Sequence, residues 1–257
     1  MSVEIFKKET VYFKLIMILF LTRRNTMKKV MLSMLYVLVF CSFGFATTFD
    51  FESGDLTGWT IRAEHDSDWS IKDDSTNPGN NKVLDYSNDS SSGDILRTGE
   101  GTYTDGSIVW DMYYNSHTQF KWNRVYIRAE DPGAGKTEVE NGYYWRPEQR
   151  QLRKLVNGSV TTLASGSTLS LANSWHRFKA EAIGNTITIY EWDDINSKWN
   201  IVISATDNTF SSGYFGFRGS SRGTSSNFTY FDNVTIVPEP ATIGLIAMGF
   251  VSLLRKK

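Results

Sequence analysis

The sequence predicts an all-β domain, an antiparallel two-sheet β-sandwich, over residues 47–236. Three observations carry that expectation. Short segments with a side-chain period of two recur along the region. Turn-forming pairs such as Asn157-Gly158 and Gly184-Asn185 separate them. No segment of the region carries a helical period, and many short strands with turns between them build sandwiches.

The elements follow in order. Thr47 to Phe51 sets Thr47, Phe49 and Phe51 against Thr48 and Asp50. Asp73 to Asn81 and Ser87 to Gly93 are rich in turn formers and read as loops. Ser107 to Tyr114 places Ile108, Trp110, Met112 and Tyr114 on one face. Phe120 to Ala129 has Val125 and Ile127 on one face and Phe120, Trp122 and Tyr126 on the other. Apolar residues on both sides predict a central strand. Gly142 to Trp145 and Gln151 to Val156 follow, and Asn157-Gly158 turns the chain into Val160 to Ala164. Trp175 to Ile183 and Thr186 to Trp192 form a second tight hairpin. Trp199 to Ala205, Tyr214 to Phe217 and Phe228 to Ile236 complete the set.

Charge separates this region from the ends of the chain. The whole sequence is nearly neutral, with 27 basic and 28 acidic residues, but residues 47–237 hold 17 basic against 25 acidic side chains. An acidic domain argues against nucleic acid as a partner, because phosphate contacts need clusters of Lys and Arg. All eight tryptophans lie inside the region. The single cysteine, Cys41, lies outside it, so no disulfide staples the domain and its stability comes from the core.

Both ends read as targeting segments. Met27-Lys28-Lys29 opens a basic n-region, Val30 to Phe40 is apolar, and Gly44-Phe45-Ala46 provides small residues for cleavage before Thr47. Residues 1–46 are thus a signal peptide. Residues 1–26 are an extension of it, read either as an upstream start-codon artefact or as a long n-region. At the other end, Pro238-Glu239-Pro240 breaks strand pairing, Ala241 to Leu254 is apolar, and Arg255-Lys256-Lys257 is a basic stop. As a helix those fourteen apolar residues span roughly 21 Å, short of a ~30 Å hydrocarbon core, and snorkelling basic side chains extend the reach. Residues 237–257 resemble the PEP-CTERM sorting signal of Gram-negative bacteria. That resemblance implies recognition by an exosortase in the inner membrane, transient anchoring, and delivery to the cell surface or extracellular matrix.

A second resemblance concerns the domain itself. Asp50-Phe51-Glu52-Ser53-Gly54 with Gly58-Trp59, and Phe231-Asp232-Asn233-Val234-Thr235-Ile236, resemble the first and last strands of concanavalin A-like and carbohydrate-binding-module jelly rolls. Tyr143-Tyr144, Leu152-Arg153-Lys154-Leu155 and Trp175-His176-Arg177-Phe178 are similar to laminin-G-like repeats of the same class. In several such sandwiches the terminal strands share a calcium ion, and Glu52 and Asp232 stand at the matching positions. Two readings remain for this pair. Either it helps hold a structural Ca2+ together with loop carbonyls, or Glu52 caps a turn and Asp232 makes an ordinary sheet-end hydrogen bond. Asp66, Asp68, Asp73 and Asp74 form another acidic cluster, read as a solvated loop.

Aromatic residues supply the binding hypothesis. Trp110, Tyr114, Trp122, Tyr126, Tyr143, Tyr144 and Trp145 crowd three neighbouring segments. Sugar rings present apolar C–H faces that stack on aromatic side chains while polar groups bond the hydroxyls. Arg124, Arg128, Asn123 and Gln119 lie close in sequence and could supply such bonds. The sugar platform expected is therefore Trp110, Tyr114, Trp122, Arg124, Tyr126, Tyr144 and Trp145; the competing expectation is that these rings fill the core. No catalytic residue is assigned. Glu191 and Asp193 share a strand face, but the third acid of laminarinase-type glycosidases is absent, since positions 195 and 196 are Ile and Asn. His65, His117 and His176 are scattered, and no His-Glu-x-x-His or Gly-x-Ser-x-Gly motif occurs. The leading function is non-catalytic carbohydrate binding by an exported protein, with polysaccharide as partner. The alternatives are a structural or adhesive matrix protein and a glycoside hydrolase.

Overall fold

The computed structural model describes residues 46–63, 68–76, 81–86, 92–99, 101–114, 123–136, 138–166, 173–220 and 229–238. Residues 1–45 of the expected signal segment, Glu239, Pro240 and the expected sorting tail with Arg255, Lys256 and Lys257 lie outside the described residues, as do Trp122, His65 and His117.

Fifteen strands are described, in two antiparallel sheets. They are β1 (Thr47–Phe49), β2 (Trp59–Arg62), β3 (Trp69–Asp73), β4 (Lys82–Tyr86), β5 (Ser92–Arg97), β6 (Gly106–Tyr114), β7 (Arg124–Ala129) and β8 (Gly142–Arg146). The remainder are β9 (Gln151–Val156), β10 (Ser159–Ser165), β11 (Ser174–Ile183), β12 (Thr186–Asp193), β13 (Lys198–Thr206), β14 (Tyr214–Ser220) and β15 (Thr229–Pro238). Sheet A runs β13-β12-β11-β6-β15-β4-β3, with β1 also paired to β15. Sheet B runs β10-β9-β8-β7-β14-β5-β2. A short 3-10 segment, Pro147–Gln149, joins β8 to β9.

Side-chain alternation sets the layers. In β6, Ile108, Trp110 and Met112 point between the sheets and are fully buried. Phe178, Ala180 and Ala182 of β11 do the same, so Trp175, Arg177, Lys179 and Glu181 face outward. From sheet B, Val125 and Ile127 of β7 and Tyr143 and Trp145 of β8 complete the same core. Trp110 meets Trp145 edge-on at 6.1 Å and Phe178 at 5.7 Å. Each such side chain stabilises the fold by about 1.5–3 kcal/mol through burial, and aromatic pairs add about 0.5–1.5 kcal/mol.

Turns and bulges follow residue type. Asn157 and Gly158 both take positive φ, 51° and 74°, the pattern of a type I′ hairpin turn. In the β11–β12 hairpin only the first turn residue, Gly184, is left-handed, at 57°. β15 bulges between Asp232 and Thr235, where Asn233 takes φ 49°. The strand then runs on through Pro238, opposite Gly106, two residues past the expected domain boundary. Four strands, β2 to β5, lie where the sequence reading assigns no strand, and they overlap its expected loops only at Asp73, Ser92 and Gly93.

Candidate functional site

Sheet B has a second, smaller apolar cluster on its outer face. Leu96, Tyr126, Ala129, Val139, Tyr144 and Leu155 pack together there. The chain between β7 and β8 lies over this face and brings Val139 onto it. Three contacts fasten that segment. Arg62 holds Asp131 with two parallel bonds of 2.7 and 2.9 Å. The Val139 amide donates to Asp94 Oδ2 at 2.5 Å. Arg218 Nη2 donates to Glu138 Oε1 at 2.5 Å.

Under the segment lies a buried polar chain. Arg218 of β14 stands opposite Arg124 of β7 on one side and Asp94 of β5 on the other. Arg124 Nη1 donates to the Tyr126 hydroxyl at 3.2 Å, and that hydroxyl donates to Asp94 Oδ1 at 3.0 Å. Arg218 Nη1 reaches the same oxygen at 3.3 Å. Asp94 is fully buried, and burial pushes its carboxyl up to about 6 against the pull of Arg218, the Val139 amide, Arg124 and Tyr126. Tyr126 is raised by its burial and by Asp94. Burial works against the charge of Arg218, yet Asp94, Tyr126 and Glu138 hold its pKa above the ordinary arginine range.

Beside this chain opens a cavity of about 400 Å³, lined by Arg124, Gly135, Lys136, Glu138, Val139, Glu140, Leu155, Gly158 and Val160. Its polar lining is oriented: Glu138 is held by Arg218, and Glu140 by Lys136 at 2.6 Å. Val160 supplies an exposed apolar wall, 49% accessible. Arg124 lies over the Tyr144 ring, 4.6 Å from its centroid. On β9, Arg153 stands opposite Tyr144. A cleft with apolar walls and a few convergent polar groups is the usual form of a small-ligand site.

The expected sugar platform is corrected by this geometry. Trp110 and Trp145 have no exposed surface; they point between the sheets because they share the parity of Ile108 and Tyr143 on their strands. Tyr126 and Tyr144 do face out of sheet B, yet they are 0% and 1% exposed beneath the β7–β8 segment. None of these four rings offers a stacking face to a sugar. Of the seven residues, Arg124, Tyr126 and Tyr144 come together, and only Arg124 lines the cavity. Tyr114 ends β6 opposite Ser174 and Thr229, on sheet A rather than sheet B. Arg128 is a clamp between loops: its guanidinium donates to the carbonyls of Thr104, Gly184 and Phe210 and to Asp105. The sequence reading missed Glu138, Glu140 and Lys136, which follow no motif and reach the site by the fold of a connection.

Outward-facing rings lie instead on sheet A. Trp175, Tyr113 and Tyr230 are aligned across β11, β6 and β15, with centroids 5.6 and 6.3 Å apart. Trp192 and Trp199 form a cross-strand pair at 5.2 Å. The signal for the first group was present in the alternation of Trp175, Arg177 and Lys179 against Phe178.

The expected calcium pair is also corrected. Glu52 Oε1 accepts the Lys82 amide at 2.8 Å, and Asp232 accepts Asn81 Nδ2 at 2.9 Å and the Asn233 amide at 2.7 Å. The Asp232 bonds are those of the second reading, whereas Glu52 ties its loop to the first residue of β4 rather than capping a turn. Calcium takes six to eight oxygens, and no group of three or more His, Cys, Asp or Glu among the described residues is arranged to hold an ion. Nearby, Arg177 takes up Asp111 through two bonds of 2.6 and 2.8 Å. This donor set does not fit a calcium site. Asp232 is pushed up to about 6, first by burial, with Asp111 and Glu52 adding to the shift against the Asn81 and Asn233 bonds. In the acidic stretch before β4, Asp68 and Asp74 are buried rather than solvated, and Asp74 binds the amide and hydroxyl of Thr76.

Glu191 faces the inter-sheet side. Its Oε1 meets His176 Nδ1 at 3.0 Å, His176 Nε2 meets Ser174 Oγ at 2.7 Å, and Arg150 approaches Oε2 at 3.5 Å. Asp193 organises the β12–β13 turn through Ile195, Asn196 and Asn200.

No protein-family model and no curated protein matches the chain. Solved structures do. The chain is similar to lectin I-B4 from Griffonia simplicifolia in its metal-free form, at 10% identity and a TM-score of 0.53, covering 75% of this chain and 98% of that one. A Bacillus subtilis protein with a galectin-like fold matches at 15% identity and a TM-score of 0.52, covering 76% and 97%. The Ca2+/Man-bound exoplasmic/lumenal domain of VIP36 matches at 12% identity and a TM-score of 0.52, covering 75% and 89%. These likenesses establish the fold: a lectin-like jelly-roll sandwich.

Proposed function

We propose that the protein is a non-catalytic carbohydrate-binding jelly-roll protein whose ligand site is the cavity on the outer face of sheet B. The observation that carries this reading is the cavity itself: about 400 Å³, with fixed polar groups and an apolar wall, on a lectin-like sandwich. Glu138, Glu140 and Lys136 suit sugar hydroxyls, which accept and donate at once, and Leu155 and Val160 suit the C–H faces. The way the acids are used supports binding without cleavage. Glu138 and Glu140 are tied to Arg218 and Lys136, Glu191 to His176 and Arg150, and Asp193 to its own turn.

Export completes the reading. The signal segment ends at Ala46, and the Pro238-Glu239-Pro240 tail with Arg255, Lys256 and Lys257 would hand the protein to an exosortase at the inner membrane. Its working place is the surface or matrix of a Gram-negative cell.

Affinity electrophoresis of residues 47–238 in gels cast with a panel of polysaccharides tests the binding. Retardation is expected, and it should be lost in Glu140→Ala. No retardation on any polymer would favour the structural or adhesive alternative. A reducing-sugar assay that shows product formation, abolished by Glu191→Gln, would make the protein a hydrolase instead. Mass spectrometry of the surface fraction should find a chain beginning at Thr47 and lacking the tail.

A further inference from the structure

We infer that the glycan taken by the sheet B cavity is acidic, and that a carboxylate of a uronic-acid residue docks between Arg124 and Arg153. This rests on the reading of the cavity as a glycan site and adds the ligand's charge to it.

Three arginines lie close together on this face. Arg124, Arg146 and Arg153 come from three adjacent strands, β7, β8 and β9, around the Tyr144 ring. They are close enough to feel one another: burial lowers the pKa of Arg146, Glu148 opposes the shift, and Arg153 and Arg124 deepen it. Like charges on neighbouring strands cost stability unless something compensates them.

Two of the three are in no direct ion pair among the described residues, although Arg124 is near enough to Asp94 and Glu138 to lower both carboxyls. Arg124 is 8% exposed, and its contacts are the Tyr126 hydroxyl and the Tyr144 ring. Its Nε is buried without a hydrogen-bond partner. Arg153 donates to the amide oxygens of Gln149, at 2.9 Å, and Gln151, both neutral, and its Nε is likewise buried and unpartnered. A buried guanidinium is costly without an anion. By contrast, Arg62, Arg177 and Arg218 each hold an acid of their own. The difference separates arginines that brace the fold from Arg124, in the cavity wall, and Arg153, which stands opposite Tyr144 two strands away on the same sheet. A planar guanidinium meets a carboxylate with two parallel bonds, which neutral hydroxyls cannot reproduce.

The test compares one polymer in two forms by isothermal titration: polygalacturonate, and the same polymer after reduction of its carboxylates to primary alcohols. The acid form should bind at least about tenfold more tightly, and added salt should narrow the gap. Arg153→Gln, at a half-buried position, should remove most of the difference while the melting temperature holds. Arg124→Lys, which keeps the charge and loses the fork, should reduce it. Equal affinity for the two forms overturns the inference and leaves glycan binding standing. Failure to bind the acid form also overturns it, and failure across the whole polysaccharide panel removes the underlying reading as well.

Discussion

Asp94 and Arg218 stand directly opposite each other on β5 and β14, 3.3 Å apart, with the carboxylate fully buried and the guanidinium side chain 4% exposed. The pair sits at the centre of the face that carries the cavity, and the segment between β7 and β8 is fastened to both members. Its integrity decides whether the lining residues are held in place.

Arg218→Met is therefore expected to destabilise the domain by about 3–5 kcal/mol at pH 7, because it leaves a buried carboxylate without its cation. The loss should be smaller at pH 5, where Asp94 carries a proton. Urea denaturation at the two pH values checks this. Adding Asp94→Leu to the first substitution should recover part of the loss, since both charges then leave the core together.

Acidity gives a second expectation. Asp94 and Asp232 both have folded pKa values of about 6, above the ordinary aspartate value of 3.8. The stability they contribute is fully present below about pH 4 and is lost as pH rises through about 6. Asp207 is shifted the other way: burial opposes the shift, but Lys154, Thr209 and Tyr143 hold its pKa well below the usual range. Its contribution is present above about pH 4 and lost on further acidification. Chemical denaturation between pH 4 and 6 should show stability falling as pH rises, and Asp232→Asn should flatten that slope by an amount on the order of 1–3 kcal/mol.

Calcium removal should do nothing. EDTA is expected to leave the melting temperature unchanged, because the oxygens of Glu52 and Asp232 serve Lys82, Asn81 and Asn233. A fall of several degrees that Asp232→Ala abolishes would restore calcium as a structural ion.

Core substitution and cavity substitution should separate cleanly. Trp110→Ala removes a fully buried ring packed on Trp145 and Phe178, and should cost about 3–5 kcal/mol. Lys136→Ala, on a half-exposed side chain paired to Glu140, should leave the melting temperature within about a degree. Differential scanning calorimetry of both variants checks the contrast.

Much of the fold was legible in the sequence. Several strands from Ser107 onward show an alternating pattern, so their positions could be read, along with inward residues such as Ile108, Trp110 and Met112. Strands β2 to β5 were not legible, because their buried positions include polar residues. Asp85 and Asp94 are 2% and 0% exposed, and Gly93 passes close to Ala63. Such stretches show no clean alternation to read, and their buried acids are satisfied only by distant partners, Lys72 for Asp85 and Arg218 for Asp94. The site was legible only in part. Parity along β7 and β8 separates Arg124, Tyr126 and Tyr144 from Trp145, but it does not say which sheet face is covered. The β7–β8 connection decides that, and its placement rests on the long-range contacts of Asp131, Glu138 and Val139.

The pairing of β1 with β15 sets Thr47 opposite Ile236. The domain's entry and exit points are thus neighbours on a single sheet, about one strand spacing apart. A few glycines would join them, so the sandwich should tolerate circular permutation, with new ends opened at the Gly184-Asn185 hairpin. By the same geometry it could be spliced into a surface loop of a host protein without prising that loop apart.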